Sequence, residues 1–128
     1  MTRFLWICAG GAAGTGARYL LSTWALAVLD PSFPWGTLAV NVLGSFFMGL
    51  FVPIGHGSPH LSATARLALT TGVLGGFTTY SAFNEQTLGF ARQGAWALAA
   101  ANVGATLAGC LLAGALGIAG GRWLFAAY

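Results

Sequence analysis

Charged residues are scarce in this sequence of 128 residues. It has five arginines, no lysine and two acids, so that only 5% of the chain is charged, against roughly 25% in an ordinary soluble domain. A soluble domain of this length leaves about 30% of its surface in water, and seven charges cannot keep such a surface soluble. With 57% hydrophobic residues, the composition excludes a soluble fold and predicts a protein solvated by lipid.

Other scarce features exclude further classes. The arginines are scattered and form no basic tract, so nucleic-acid binding is not expected. The only two cysteines, Cys8 and Cys110, lie inside apolar runs and provide no disulfide framework. His56 and His60 have the spacing of a metal pair on a helix, but the glycine and proline between them predict a loop. No catalytic triad or carboxylate pair is available at membrane depth, and we expect no enzyme.

The chain does contain long apolar runs. Polar, turn-forming stretches interrupt them around residues 30–34, 55–60 and 92–94. About 20 apolar residues cross a bilayer as a helix. We therefore predict an all-α integral membrane protein, a single domain over residues 1–128, with spans at about 4–29, 36–55, 63–91 and 95–121.

The arginines bias the orientation of this domain only weakly. With four spans, Arg3, Arg66 and Arg122 lie on one side of the membrane and Arg92 on the other. Because loop arginines set the orientation of membrane proteins, three against one leaves room for insertion in both directions.

Glycine is abundant, at 20 of 128 residues, and small residues recur at every fourth position. Gly10 and Gly14 have this spacing, as do Gly72 and Gly76. The longest row is in the fourth span and comprises Ala101, Ala105, Gly109, Ala113, Gly117 and Gly121. Such rows let helix backbones approach closely in lipid, so they predict tight packing between the spans.

Polar side chains form stripes on two of the spans. The second span has Thr37, Asn41 and Ser45 on one helical face, and the fourth has Asn102, Thr106 and Cys110. Each stripe could form hydrogen bonds between helices. Together they could also line a narrow polar track, and the stripes alone do not decide between the two.

The third span favours the track. Residues 70–85 include three glycines followed by hydroxyl residues, and helices interrupted at mid-membrane occur where they hold an ion or line a cavity. A simple kink is the alternative. Phe77, Tyr80 and Phe83 recur every third residue, so they share one side if this segment is helical, and the partly positive edges of aromatic rings suit an anion path.

Three segments resemble one family, the Fluc/CrcB fluoride channels. They are residues 10–19, 36–44 and 72–83, and the third is the most specific. The resemblance implies an antiparallel, dual-topology homodimer with two pores in the bacterial plasma membrane, the inner membrane in a Gram-negative cell. Fluoride would leave the cytoplasm passively through it, which lowers fluoride toxicity.

The resemblance also implies roles for individual residues. Backbone carbonyls of Gly75 and Thr78 would hold a structural Na⁺ at the dimer centre, and Arg18 would be a structural arginine. The residues implied to line the fluoride pore are Thr37, Asn41, Tyr80, Phe83, Thr106 and Cys110.

The chain departs from the family at several of these positions. Tyr80 stands where phenylalanine is usual and Cys110 where a hydroxyl is more common, while Gln86 occupies the place of a frequent glutamate, with the acid at Glu85. Asn102 sits where an aromatic residue is sometimes found.

Two other functions remain as alternatives. A small four-span multidrug exporter would need an acid embedded in the membrane, and Glu85 lies only toward the end of the third span. A membrane scaffold that transports nothing would need only the small-residue rows.

Overall fold

The computed structural model describes residues 1–55 and 61–125; the loop predicted around His56 and His60 lies outside them. Every regular element in these ranges is helical, which confirms the all-α class. The elements are α1 (Thr2–Val28), α2 (Trp35–Gly55), α3 (Ala63–Leu67), a π-helical segment (Ala68–Leu74), α4 (Gly75–Phe77), α5 (Tyr80–Arg92) and α6 (Trp96–Phe125).

The connections follow from local chemistry. After α1, the Asp30 carboxylate accepts hydrogen bonds from the Ser32 backbone N–H at 2.9 Å and the Ser32 hydroxyl at 2.8 Å, a turn typical of aspartate. Gly94, between α5 and α6, has a φ of +73°, which glycine adopts without steric cost.

The first close packing joins α2 to α6. A Cβ added at Gly49 would collide with the Gly114 carbonyl oxygen, and one at Gly117 would collide with that of Phe46. Only the absence of a side chain lets these backbones lie so close, as in other small-residue interfaces of membrane helices. The predicted tight packing of the row on α6 is therefore confirmed at Gly117.

The second close packing joins α1 to the third predicted span. A Cβ on Gly10 would lie 2.5 Å from the Ala68 carbonyl oxygen, and one on Gly76 would lie 2.6 Å from that of Gly11. The two glycine pairs of the sequence, Gly10 with Gly14 and Gly72 with Gly76, thus belong to one interface between α1 and the π segment with α4.

Helical conformation stops at Phe77 and resumes at Tyr80. Thr78 has φ −83° and ψ 157°, and Thr79 has φ −150° and ψ 111°, so both are extended. The Thr79 hydroxyl then accepts a hydrogen bond from the Ala82 N–H at 3.2 Å, the contact expected of a helix N-cap. As a consequence, Phe77 does not share a helical face with Tyr80.

The π segment precedes this interruption. At its end the Gly75 N–H is shared between the Gly72 carbonyl and the Thr70 carbonyl, five residues earlier, whereas an α-helix would use the carbonyl four residues earlier. Such wide turns are rare and are frequently found at functional sites.

The outer surface is strongly apolar. Trp6, Leu20, Leu116 and Trp123 are exposed, whereas few hydrophobic side chains are buried. Within the described residues one helix, Trp96–Leu124, is both long and apolar enough to cross a membrane. An apolar surface of this extent requires cover by lipid or by protein.

Candidate functional site

Asn41 of α2 holds the extended residues in place. The Thr79 backbone N–H donates to Asn41 Oδ1 at 2.8 Å, and Asn41 Nδ2 donates to the Thr79 carbonyl oxygen at 3.0 Å. The side-chain amide therefore pairs with both backbone groups of Thr79. Asn41 is buried, and since an amide nitrogen carries two donors, one N–H is left for another partner.

This pairing releases backbone carbonyls. In a continuous α-helix the Thr79 N–H would bond to the Gly75 carbonyl, and the Ala82 N–H to the Thr78 carbonyl. Here Thr79 donates to Asn41, and Ala82 donates to the Thr79 hydroxyl. The carbonyls of Gly75 and Thr78, which the sequence resemblance assigns to Na⁺, are thus among those that lose their helical donors at the interruption.

Two neighbouring carbonyls, those of Gly76 and Leu74, do have donors. Arg18 Nε of α1 donates to the Gly76 carbonyl oxygen at 3.1 Å, and the Thr15 hydroxyl reaches the same oxygen at 3.5 Å. The Leu74 carbonyl accepts both the backbone N–H and the hydroxyl of Thr78, each at 3.0 Å. Arg18 therefore satisfies a carbonyl at a helix end, which fits its expected structural role.

A main cavity of about 600 Å³ lies between α2, the start of α5 and α6. Five of the six residues predicted for a pore line it, namely Asn41, Tyr80, Phe83, Thr106 and Cys110. Ser45 and Met48 also line it, and none of its lining residues is charged. The cavity wall combines neutral polar, aromatic and apolar groups.

The individual side chains differ in how they meet this cavity. The rings of Tyr80 and Phe83 have centroids 5.6 Å apart and are tilted by 54°. Phe83 is buried, whereas Tyr80 is 77% exposed. Thr106 is 7% exposed, and its Oγ1 has no hydrogen-bond partner among the described residues.

Asn102 does not line the main cavity but connects two helices. It is 1% exposed, and its Nδ2 donates to the Thr87 hydroxyl at 2.8 Å, which in turn donates to the Phe83 carbonyl at 2.7 Å. The polar stripe of α6 is therefore divided: Asn102 ties α6 to α5, while Thr106 and Cys110 line the main cavity.

Thr37, the sixth predicted pore residue, lies elsewhere. It lines a smaller cavity of about 190 Å³ beside the turn after α1, together with Ser22, Asp30 and Gln86. Two hydrogen bonds lower the pKa of Asp30: the one from the Ser32 backbone N–H has the larger effect, and the one from the Ser32 hydroxyl adds to it. This carboxylate is therefore ionised at neutral pH.

The sequence interpretation assigned no role to Gln86, Met48 or Thr79. Gln86 lies three residues after Phe83 on α5, so helical spacing could have identified it; its buried Oε1 has no partner in the part of the chain that the structure describes. Met48 follows Ser45 by three residues, whereas the polar stripe on α2 has a spacing of four. Thr79 acts through its backbone, for which side-chain patterns carry no signal.

The chain is similar to known proteins over nearly its whole length. A family model described as CrcB-like protein, Camphor Resistance (CrcB), matches residues 5–118. A protein of Sorangium cellulosum named Fluoride-specific ion channel FluC is 52% identical over 126 residues, covering 98% of this chain and 99% of its own. Proteins of the same name from Anaeromyxobacter sp. (strain K) and Agrobacterium fabrum are 49% and 44% identical, over 97% and 93% of this chain and 98% and 95% of their own.

Proposed function

Since this chain belongs to the CrcB-like family, we propose that it is a fluoride-selective channel and not an enzyme. It lets fluoride leave the bacterial cytoplasm passively across the plasma membrane, the inner membrane of a Gram-negative cell, and so lowers fluoride toxicity. The names of its relatives support fluoride as the transported ion, and their similarity extends over nearly the whole chain. The main cavity is the proposed route of the ion.

The neutral polar groups along the main cavity are the observation that carries this proposal. Asn41, Tyr80, Thr106 and Cys110 place amide, hydroxyl and thiol side chains on its wall, with no charged residue among them. The free N–H of Asn41 and the Cys110 thiol lie along the same cavity. Such donors can replace the water around a small, strongly hydrated anion.

The absence of charge from the cavity lining suits conduction. An ion must enter a site favourably and also leave it. A fixed arginine would hold fluoride by full charge and close hydrogen bonds, whereas amides, hydroxyls and the positive edges of aromatic rings bind it more weakly. The rings of Tyr80 and Phe83 therefore complete the proposed path.

We further propose an antiparallel, dual-topology homodimer with two pores. Tyr80 and Leu111, which line the main cavity, are 77% and 74% exposed in the single chain, and a second copy would cover them. The weak arginine bias permits insertion in both orientations.

The proposed Na⁺ joins the two chains at their centre. Unwound backbone carbonyls coordinate Na⁺ in other membrane proteins, and the carbonyls of Gly75 and Thr78 fit because their helical donors are engaged elsewhere. Gly75 is also exposed, which leaves it accessible to a partner. The bound cation would offset the repulsion between the carbonyl dipoles of two chains.

The exporter alternative receives no support from the site. Glu85 is exposed, and no acid lines the main cavity, so proton exchange would have no carboxyl group there. The organised main cavity likewise exceeds what a scaffold requires.

Anion efflux from liposomes that contain the purified protein tests the proposed function. We expect rapid fluoride efflux and chloride efflux no faster than from liposomes without protein. Equal efflux of the two anions would refute selectivity, and no efflux of either would refute the channel.

A further inference from the structure

A chain of hydrogen bonds between α6 and α5 begins at a fully buried side chain. Asn102 of α6 is 1% exposed, and its Nδ2 donates to the Thr87 hydroxyl at 2.8 Å. That hydroxyl donates its own hydrogen to the Phe83 carbonyl at 2.7 Å, so it can only accept from residue 102. The chain of bonds therefore has a fixed direction, and a donor is needed at position 102 to complete it.

This bond between the helices lies one helical turn from the main cavity. α5 and α6 form a hairpin around Gly94, so residues at similar distances from the turn lie at similar depths. Phe83 comes four residues before Thr87, and Thr106 comes four residues after Asn102. Both Phe83 and Thr106 line the main cavity, whereas the two bonded residues do not. The bond therefore lies beside the proposed ion path without forming its wall.

Only one side chain of α5 is buried. It belongs to Phe83, while Asn84 and Leu88 are exposed. Apolar contacts are non-directional, so they leave a helix free to slide or rotate, whereas a buried hydrogen bond selects one pairing. Single buried polar groups fix the register of helices in this way in coiled coils. The bond from Asn102 is thus a directional contact on a helix that has little buried surface of its own.

We propose that Asn102 and Thr87 are positioning residues, and that their hydrogen bond sets the register of α5 against α6 and so holds Phe83 in the wall of the main cavity. The effect on conduction rests on the proposed channel function. The hold on α5 rests only on the bond and on the burial of Asn102.

A bond that only stabilised the fold would leave a different signature. Removing one partner leaves a buried polar group unpaired and is destabilising, whereas replacing both partners by apolar groups of similar shape can be nearly neutral. A double replacement therefore restores stability but not the direction of the bond. For a stabilising role, conduction should return together with stability. For a positioning role, conduction should stay low.

The test compares Thr87→Val, Asn102→Leu and the double variant by the thermal unfolding midpoint in detergent and by fluoride efflux per folded protein from liposomes. Thr87→Val should lower the midpoint, because the Asn102 amide loses its acceptor, and the double variant should recover most of that loss. Efflux should fall by a factor of about ten in all three. Thr87→Ser, which keeps the hydroxyl, should retain the efflux of the parent.

Thr70→Val is the matched control. The Thr70 hydroxyl also donates to a carbonyl four residues earlier, that of Arg66, at 2.9 Å, but this bond stays within one span. Efflux through Thr70→Val should match that of the parent. A loss as large as that of Thr87→Val would refute a specific role for the bond between the helices.

Hydrogen exchange separates the two parts of the proposal. In the double variant the backbone amides of α5 should exchange about ten times faster than in the parent, although the unfolding midpoint is recovered. Unchanged exchange would refute the hold on α5, and normal efflux through the double variant would refute the positioning role. If the parent itself carries no fluoride, the proposed function fails, and exchange still decides whether the bond holds α5.

Discussion

Asn41 and Thr79, 38 residues apart, are joined by two hydrogen bonds that run in opposite directions, at 2.8 and 3.0 Å. A side-chain amide has the same donor and acceptor as a peptide group, so Asn41 supplies what the interrupted helix lacks. The same side chain lines the main cavity. One residue therefore both supports the interruption and faces the proposed ion path.

Replacing Asn41 by aspartate should abolish fluoride efflux. The new carboxylate could still accept from the Thr79 N–H, but it would lose the donated bond to the Thr79 carbonyl and bring a negative charge into an anion path. Asn84→Asp is the matched control, because Asn84 is exposed on α5 and does not line the main cavity. Undiminished efflux through Asn41→Asp, with the oligomer intact, would remove Asn41 from the pore.

Thr106→Val should separate conduction from stability. Removing an unpartnered hydroxyl relieves its desolvation, so the thermal unfolding midpoint in detergent should stay the same or rise, while fluoride efflux falls by a factor of about ten. Thr87→Val provides the contrast, since it leaves the buried Asn102 amide without its acceptor and should cost about 1–3 kcal/mol. Normal efflux through Thr106→Val would count against the proposed path.

Arg18→Met should destabilise the fold. It removes the donor to the Gly76 carbonyl, and hydrogen bonds to charged groups contribute about 1.5–3 kcal/mol. Arg3→Met on the same helix is the control, because Arg3 is exposed near the chain start and should unfold as the parent does. Equal unfolding midpoints for the two variants would contradict the structural role of Arg18.

Two glycines of α6 should respond in opposite ways to alanine. At Gly117 the new methyl group would collide with the Phe46 carbonyl, whereas at Gly104 nothing lies within 4 Å. Gly117→Ala should cost about 1–3 kcal/mol through overpacking, while Gly104→Ala should stabilise the helix by up to about 1 kcal/mol. Denaturant unfolding of both variants checks this, and similar losses at the two sites would argue against the close contact of α2 and α6.

Removing sodium should loosen the proposed dimer. When Na⁺ is replaced throughout by a large organic cation at equal ionic strength, the carbonyls of Gly75 and Thr78 lose their proposed ligand. We expect dissociation in size-exclusion chromatography and lower fluoride efflux, both restored when Na⁺ returns. An unchanged oligomer with unchanged efflux would overturn the sodium site.

Much of this fold can be predicted from the sequence because a lipid environment imposes simple rules on helix length and packing. The helices follow the apolar runs, and the spacing of Gly10 with Gly14 and of Gly72 with Gly76 already predicts close packing between spans, although it does not show that these two pairs pack on each other. Side-chain periodicity likewise brings Thr106 and Cys110 to one cavity wall.

The remainder depends on contacts that periodicity does not encode. Thr37 follows the same helical spacing as Asn41, yet it lines a different cavity because the turn after α1 closes around it. Asn102 shares a stripe with Thr106, but the Thr87 hydroxyl on α5 captures its amide. In both cases a partner distant in sequence decides the role.

The π segment Ala68–Leu74 gives the third span an unusual sensitivity to its length. A π turn accommodates an extra residue, and each residue of an α-helix turns the chain by about 100°. Deleting a single residue there would restore an α-helix but rotate all that precedes it relative to Gly76 and the interruption. After a deletion beyond Ala68, the Ala68 carbonyl could then no longer keep its place against Gly10. Substitutions in this segment can therefore be tolerated where a change of length cannot, so homologous chains should align through it without gaps.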